Sequence, residues 1–184
     1  MAIFITVFRS ALRSWAGLGL VCGLASCGAG ADQRCLLLNS DFEQFEGWVT
    51  PLPPFLSTEK AHSGRYSYYV ADGAEFVAPY HTTLEACAFV PTSLRLQAWT
   101  YLTSGLIRST KLVVEIRCHG RRPDIWRALE VSQVVRRYQK WEHLTKTIHL
   151  PSDLAPTDEV LVYVWCPERG AAKYFDDLTL EAVR

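Results

Sequence analysis

The sequence predicts an all-β protein, an antiparallel β-sandwich or jelly roll formed by residues 35–184. Apolar and polar residues alternate along several short runs, most clearly in residues 94–102 and 111–118. Turn-forming pairs such as Ser63-Gly64 separate these runs, and almost no stretch has helical periodicity. Period-2 alternation is typical of half-buried strands, and many short strands with frequent turns favour a sandwich.

Eight runs are predicted as strands because β-branched and aromatic residues are enriched in them. Residues 160–166 are apolar on both faces, which predicts a central strand. One helical turn is expected within residues 128–139. The eight predicted strands are residues 35–39, 65–70, 94–102, 111–118, 125–131, 141–150, 160–166 and 174–183.

The first 26 residues are predicted to be a secretory signal peptide. Arg9 and Arg13 precede an apolar stretch of about a dozen residues, which is too short for a spanning helix of roughly 20 residues. The segment Leu24-Ala-Ser-Cys27 resembles the bacterial lipobox, which implies cleavage before Cys27 and acylation of its thiol. An ordinary signal peptide in which Cys27 is incidental is the alternative.

The lipobox resemblance implies that residues 27–34 are a lipidated tether. A tether of about seven residues reaches at most roughly 25 Å when it is extended. Several acyl chains would anchor the protein to a membrane. Gly28 and Ala29 follow Cys27, without the aspartate that retains enteric lipoproteins in the inner membrane, which favours the outer membrane.

The charge balance argues against a nucleic-acid partner. The chain has 19 basic and 19 acidic residues, and removal of Arg9 and Arg13 leaves 17 against 19, a net charge of −2. No basic run stands out in the sequence, whereas nucleic-acid binding requires a basic patch or stripe.

Four of the six cysteines would remain after Cys22 leaves with the signal peptide and Cys27 takes lipid. An exported compartment permits disulfides, and we expect two, with Cys118–Cys166 as one of them. Four buried thiols are the alternative. The absence of Cys-x-x-Cys pairs argues against structural zinc. The four cysteines are Cys35, Cys87, Cys118 and Cys166.

Five motifs follow one another along the predicted domain. They are Asn39-Ser-Asp-Phe-Glu43 with Gly47-Trp48, Lys60-Ala-His-Ser-Gly-Arg-Tyr-Ser67, Leu96-Gln-Ala-Trp99, residues 141–151 ending in Leu150-Pro151, and Tyr174-Phe-Asp-Asp-Leu-Thr-Leu180. In this order they resemble the galactose-binding-domain-like jelly rolls of many carbohydrate-binding modules. The resemblance implies a non-catalytic domain with a carbohydrate partner.

Many members of that family carry a structural calcium ion, which takes roughly six to eight oxygen ligands. The resemblance places the carboxylates of Glu43 and Asp176 at this ion, with Asp41 as an alternative carboxylate. Backbone oxygens would come from Lys60 and from Ser63 or its neighbour. The alternative is that Asp176 caps a strand end and Glu43 is a solvated surface residue.

Carbohydrate sites combine an aromatic stacking surface with planar hydrogen-bonding side chains. In the family, the ligand often lies across the concave sheet. The apolar residues of 94–102 are predicted to face inward, so the residues that alternate with them are predicted to face the ligand. The same alternation along 111–118 predicts that two of its polar residues are exposed. The candidate ligand-binding residues are Gln97, Trp99, Tyr101, Glu115 and Arg117.

Other aromatic residues have weaker claims to this role. Trp126, with Tyr80 and His81, lies on a loop or strand edge and is a lesser candidate. Trp141 and Trp165 are expected in the core, as is Trp48. Trp99 has an alternative reading, as part of a small satellite core beneath a loop.

No catalytic motif is present, and we expect no enzymatic activity. Hydrolysis of a glycoside by paired carboxylates needs a fixed separation across a cleft. Asp176 and Asp177 are adjacent on a predicted strand and should point to opposite faces. A structural or protein-interaction lipoprotein, with the same sandwich as a scaffold, is the alternative function.

Overall fold

Two antiparallel sheets contain the ten strands of the part of the chain that the structure describes. The structure is a computed structural model that describes residues 33–45, 53–70 and 80–184. The predicted antiparallel β-sandwich is confirmed. Residues 1–32, with the lipobox and Cys27, lie outside the described residues, as do Gly47 and Trp48.

Six of these strands form sheet A, which includes both ends of the described chain. They are β1 (Arg34–Ser40), β2 (Leu56–Ser57), β3 (Ser67–Val70), β5 (Ser93–Leu102), β8 (Trp141–His149) and β10 (Lys173–Val183). Their order is β2-β3-β10-β5-β8. Strand β10 pairs with β3 through its first residues and with β1 through its last, so one long strand organises the sheet.

The other four strands of the described chain form sheet B. They are β4 (Tyr80–Thr83), β6 (Lys111–Arg117), β7 (Ile125–Glu130) and β9 (Glu159–Trp165). Their order is β4-β9-β6-β7, which confirms that residues 160–166 form a central strand. Val160, Leu161 and Val162 are all buried, as the apolar character of both faces requires.

The core lies between the inward faces of the two sheets. In β5, Leu94, Leu96 and Ala98 are fully buried, which confirms the predicted phase of this strand. From sheet B, Leu112 and Ile116 belong to the same apolar cluster. Burial of these side chains supplies the main driving force for folding.

Three short helical segments connect the strands of the described chain. Val131–Val134 is a single α-helical turn, which confirms the turn expected within residues 128–139. Glu43–Phe45 and Leu84–Ala86 are turns of 3-10 helix. Within the described ranges, none of the helices is long and apolar enough to cross a bilayer.

The disulfide prediction is partly wrong. Cys35 and Cys87 form a disulfide, with their Cα atoms 5.7 Å apart, but Cys118 and Cys166 are free and buried. Antiparallel pairing of β6 with β9 places Cys118 and Cys166 at opposite ends of these strands. Seven residues at about 3.3 Å each separate the ends by roughly 20 Å, far beyond the reach of a disulfide.

Candidate functional site

The predicted ligand-binding residues lie on two different faces of the sandwich. Gln97, Trp99 and Tyr101 point outward from sheet A, whereas Glu115 and Arg117 point outward from sheet B. The structure therefore does not bring the five candidate residues together on one surface. Alternation within a strand tells inward from outward residues, but it does not tell which sheet the strand joins.

On sheet A, the ring of Trp99 is covered by the protein itself. The His62 ring stacks on the indole at a centroid distance of 4.0 Å and an interplanar angle of 14°. His143 approaches the same indole at 5.1 Å. Beside it, Tyr101 has Lys60 Nζ at 5.4 Å from its ring centroid and Trp141 at 5.7 Å. These contacts occupy the ring surface that a sugar would need for stacking.

His62 belongs to a segment, residues 60–66, that we call the covering loop. The backbone N–H groups of His62 and Ser63 donate to Asp176 Oδ2 at 2.7 and 3.2 Å. Ser63 Oγ donates to Asp177 Oδ1 at 2.6 Å, and His62 Nδ1 lies 2.5 Å from Asp177 Oδ2. Two adjacent carboxylates of β10 thus fasten the loop over the outer face of sheet A.

A β-bulge allows both carboxylates to reach one loop. Asp176 pairs with Trp99 and Thr179 pairs with Gln97, so two residues of β10 oppose a single residue of β5. Asp177 has a positive φ of 46°. The prediction that Asp176 and Asp177 point to opposite faces is therefore wrong, because a bulge interrupts the alternation of a strand.

The other side of the covering loop is fastened by Glu43. Glu43 Oε1 accepts hydrogen bonds from the backbone N–H groups of Arg65 and Tyr66, both at 2.7 Å. Gly64 has a φ of +54°, and a Cβ added there would lie 2.5 Å from the Glu43 carboxyl carbon. Only glycine combines this left-handed conformation with so close an approach.

The predicted calcium ligands meet partly at the covering loop. Glu43 and Asp176 both contact it, while Lys60 O accepts a hydrogen bond from Ser67 Oγ at 2.5 Å. Asp41 Oδ1 accepts from the Glu43 N–H at 3.1 Å and so caps the adjacent turn. Within the described ranges, no three or more His, Cys, Asp or Glu side chains are grouped to hold a metal.

Asp176 is the member of this set whose chemistry best fits a cation. It has no exposed surface. Burial raises its pKa, although three backbone N–H groups donate to the carboxylate. A nearby divalent cation would offset the cost of burying this charge, and carboxylate and carbonyl oxygens are the ligands that calcium prefers.

On sheet B, hydrogen bonds join the outward side chains of three neighbouring strands. The half-exposed Trp126 donates its indole N–H to the Tyr163 hydroxyl at 3.0 Å. Tyr163 donates in turn to Glu115 Oε2 at 3.0 Å, and Arg117 Nε donates to Glu115 Oε1 at 2.8 Å. We call Trp126, Tyr163, Glu115 and Arg117 the polar-aromatic row.

A lysine and a second tryptophan extend this face beyond the row. Lys111 Nζ lies 5.5 Å from the ring centroid of Trp126 and 5.0 Å from that of Trp165. It also forms an ion pair with Glu130 at 3.0 Å. Burial and the neighbouring Glu115 raise the pKa of Tyr163, so its hydroxyl keeps its proton at neutral pH and can donate a hydrogen bond.

Sequence reasoning named only part of this face. It identified Glu115 and Arg117 and gave Trp126 a lesser place. It missed Lys111 and Tyr163. The positions along residues 160–166 could have identified Tyr163, because Tyr163 and Trp165 alternate with the inward-facing valines and therefore point outward. The expectation that Trp165 lies in the core is wrong, and Trp141 likewise packs on the outer face of sheet A.

A cavity of about 420 Å³ is lined by residues of both sheets, among them Tyr163 of the polar-aromatic row. Apolar side chains dominate its lining, including Leu38, Phe42, Leu112 and Phe175. The buried Tyr68 hydroxyl lines it and has no hydrogen-bond partner within the described chain. Its lining also includes the polar side chains of Asn39, Ser40 and Gln44.

Three solved structures of carbohydrate-binding modules resemble the chain. A family 16 carbohydrate-binding module is 17% identical, with a TM-score of 0.52, over 79% of this chain and 98% of its own. The C-terminal family 22 module of Clostridium thermocellum Xyn10B is 20% identical, with a TM-score of 0.52, over 80% and 92%. A xylan-binding domain of family 22 is 19% identical, with a TM-score of 0.51, over 81% and 95%.

No protein-family model matches the chain, and no curated protein matches it. At these low identities the structural similarities concern the architecture of the domain. The chain therefore has the β-sandwich fold that carbohydrate-binding modules of families 16 and 22 have.

Proposed function

We propose that the protein is a non-catalytic, lipid-anchored envelope protein that binds a glycan on the outer face of sheet B. The observation that carries the proposal is the polar-aromatic row, in which a half-exposed tryptophan is hydrogen-bonded into a series of polar side chains. Sugars present apolar C–H faces and rings of hydroxyls, and this row offers a partner for each.

The roles of the residues follow from their chemistry. The Trp126 ring would stack on an apolar sugar face. Glu115 would accept hydrogen bonds from sugar hydroxyls, and Arg117 would donate hydrogen bonds to them. Lys111 would add a second cationic donor. The hydrogen bonds within the row fix these side chains before the ligand arrives, which reduces the entropy lost on binding. Binding of this kind transfers no group.

The outer face of sheet A supports binding less well. Trp99 and Tyr101 already contact the covering loop and neighbouring rings. A ligand would have to displace His62 together with its hydrogen bonds to Asp176 and Asp177. The Gln97, Trp99 and Tyr101 platform therefore becomes the competing site in the experiment below.

The anchor in this proposal is Cys27, acylated after removal of residues 1–26. The outer membrane is its destination, since the residue directly after the cysteine is Gly28 and not an aspartate. Mass spectrometry of the full chain expressed in a bacterial host tests this part. An acyl mass on Cys27 supports the anchor, whereas an unmodified cysteine contradicts it.

A structural calcium ion also belongs to the proposal. Glu43 and Asp176 would supply carboxylate oxygens, with backbone oxygens from Lys60 and Ser63, and the ion would join the covering loop to β10. Added calcium should raise the melting temperature of chelator-treated protein, and Glu43→Gln should reduce that rise. A melting temperature that does not respond to calcium contradicts the site.

Glycan binding is tested on an array that includes xylan oligosaccharides, because one compared structure is a xylan-binding domain. Trp126→Ala should weaken any hit at least tenfold, about 1.4 kcal/mol, and should cost under about 1 kcal/mol of stability. Trp99→Ala serves as the matched control on sheet A, and its affinity should stay within twofold.

Two results would overturn the assignment. Loss of binding in Trp99→Ala, with stability and the Trp126→Ala affinity unchanged, moves the ligand to sheet A. Binding of no glycan by the folded chain favours the alternative, a scaffold or protein-interaction lipoprotein.

A further inference from the structure

One end of the sandwich gathers both ends of the described chain. The Arg184 N–H donates to Gln33 O at 3.0 Å, and the Thr92 N–H donates to Val183 O at 2.8 Å. The Cys35–Cys87 disulfide joins the start of β1 to the loop that precedes β5. We call residues 33–36, 84–92 and 183–184 the anchor end.

Aliphatic side chains are exposed at the anchor end. Leu36 is 56% exposed and Val90 is 51% exposed. A small groove of about 170 Å³ adjoins Val90 and is lined by Phe89, Pro91 and Leu154, among others. Single exposed apolar residues are ordinary, but the apolar groove beside Val90 is typical of a contact surface.

Charges of both signs lie at the anchor end. Arg34 has half of its side chain exposed and forms a 3.9 Å ion pair with Glu181. Arg184 is exposed as well, and Glu85 is the exposed acidic residue of the loop. Two arginines beside aliphatic side chains match the boundary between lipid headgroups and acyl chains.

The chain outside the described residues indicates which partner covers this end. It includes the residues before Gln33, which contain an apolar stretch and Cys27. A tether of about seven residues keeps the anchor end within roughly 25 Å of acyl chains on Cys27. So short a tether gives the anchor end a high effective concentration at the bilayer surface. Even a weak contact with the bilayer is then enough to keep this end on the surface.

We infer that the anchor end rests on the bilayer surface that holds the lipid anchor, with Leu36 and Val90 at the acyl boundary. This inference rests on the lipid-anchor part of the proposed function. Strand β5 leaves this end at Ser93 and runs to Leu102 at the opposite end. The strands therefore stand away from the membrane, and the polar-aromatic row faces sideways into the surrounding space.

Site-directed spin labelling tests the contact. The full chain is expressed with its lipid, labelled at Leu36→Cys or Val90→Cys, and reconstituted into vesicles of phosphatidylethanolamine and phosphatidylglycerol. Leu106→Cys is the matched control, because Leu106 is 75% exposed and follows β5 at its far end, roughly 30 Å from Ser93. Cys118 and Cys166 are buried and should not take the label.

The expected result is a ratio of oxygen to nickel-complex collisions at positions 36 and 90 at least threefold that at 106. Equal ratios at all three positions in acylated protein overturn the contact but leave the anchor intact. Mass spectrometry of the same sample reads acylation separately. Protein without an acyl mass contradicts the anchor, and the inferred contact falls with it.

Discussion

The two outer faces of the sandwich carry similar aromatic residues but use them differently. On sheet A, Trp99 stacks on His62, and the covering loop lies over it. On sheet B, Trp126 is half exposed, and its indole N–H is held by Tyr163. Aromatic content alone therefore does not identify a ligand site. What separates the faces is that a loop of the chain lies over the Trp99 ring, whereas Trp126 remains 43% exposed with Lys111 near its ring.

The carboxylates of the two faces differ in the same way. Asp176 and Glu43 accept hydrogen bonds from backbone N–H groups, so they hold a loop in place. Glu115 accepts from the side chains of Tyr163 and Arg117, so it orients groups that remain near solvent. We therefore expect substitutions on sheet A to change stability and those on sheet B to change binding.

The largest expected effect concerns Glu168, which belongs to neither face. It accepts hydrogen bonds from Ser109 and Thr110 and lies 3.9 Å from Lys173. Although burial alone would raise its pKa, these hydrogen bonds lower it from 4.5 to about 2. A carboxyl group with a depressed pKa stabilises the folded state fully at pH values above its pKa in the unfolded chain. This stabilisation is lost as the pH falls toward 2. The loss should reach about 3 kcal/mol.

Glu168→Gln should remove this part of the acid dependence and destabilise the protein at pH 7, without changing glycan affinity. Denaturant unfolding between pH 2 and pH 7 measures the effect, with the exposed Glu85→Gln as control. If the stability of Glu168→Gln still falls at low pH, Glu168 is not the cause of the acid dependence. A change in glycan affinity would contradict the expectation that this residue affects stability and not binding.

The second effect compares the two tryptophans directly. Trp99→Ala should lower the free energy of unfolding by about 2 kcal/mol, because it removes a partly buried ring and the stacking contact of that ring with His62. Trp126→Ala should cost under about 1 kcal/mol, since its ring is half exposed. Equal losses in the two variants, measured by denaturant titration, would remove the distinction between the faces.

The third effect tests how tightly the covering loop is held. Gly64→Ala and Gly120→Ala both place a side chain at positive φ, which costs about 1 kcal/mol. At Gly64 the new Cβ also meets the Glu43 carboxyl group, whereas at Gly120 nothing lies within 4 Å. Gly64→Ala should therefore cost about 1 kcal/mol more than its control. Equal melting temperatures would show that the loop yields easily.

The smallest effect concerns one hydroxyl group of the polar-aromatic row. Tyr163→Phe removes the acceptor for Trp126 and the donor to Glu115. Loss of about 1 kcal/mol should weaken glycan binding roughly fivefold, with little change in stability. Tyr101→Phe on sheet A is the matched control. An affinity that falls only in Tyr101→Phe would return the ligand to sheet A.

Most of the fold follows from alternation along the strands. The strands β5, β6 and β9 each bury every second residue against the core, and this pattern is visible in the sequence. Strands β2 and β4 were missed because two and four residues are too short to show a period. The error over Cys118 and Cys166 arose because antiparallel register, which separates them, is a property of the pair of strands.

The candidate site was less predictable. The exposure of Glu115 follows from the alternation of apolar and polar residues along β6. Which sheet carries it, however, follows only from the order of the strands. The contact of His62 with Trp99 joins residues 37 positions apart through a loop and a bulge, and neither leaves a periodic signal. Resemblance to a family located Glu43 and Asp176 near one loop, which alternation alone does not reveal.

The Cys35–Cys87 disulfide has a mechanical consequence. Strand β1 pairs antiparallel with the end of β10, so a pull on Gln33 would load the hydrogen bonds of β1 one after another, as in unzipping. The disulfide lies two residues inside Gln33 and transfers the load to the segment before β5. With the N-terminus anchored as proposed, a protein pulled by its ligand would then resist peeling through a covalent bond, and reduction of that bond would lower the force it withstands.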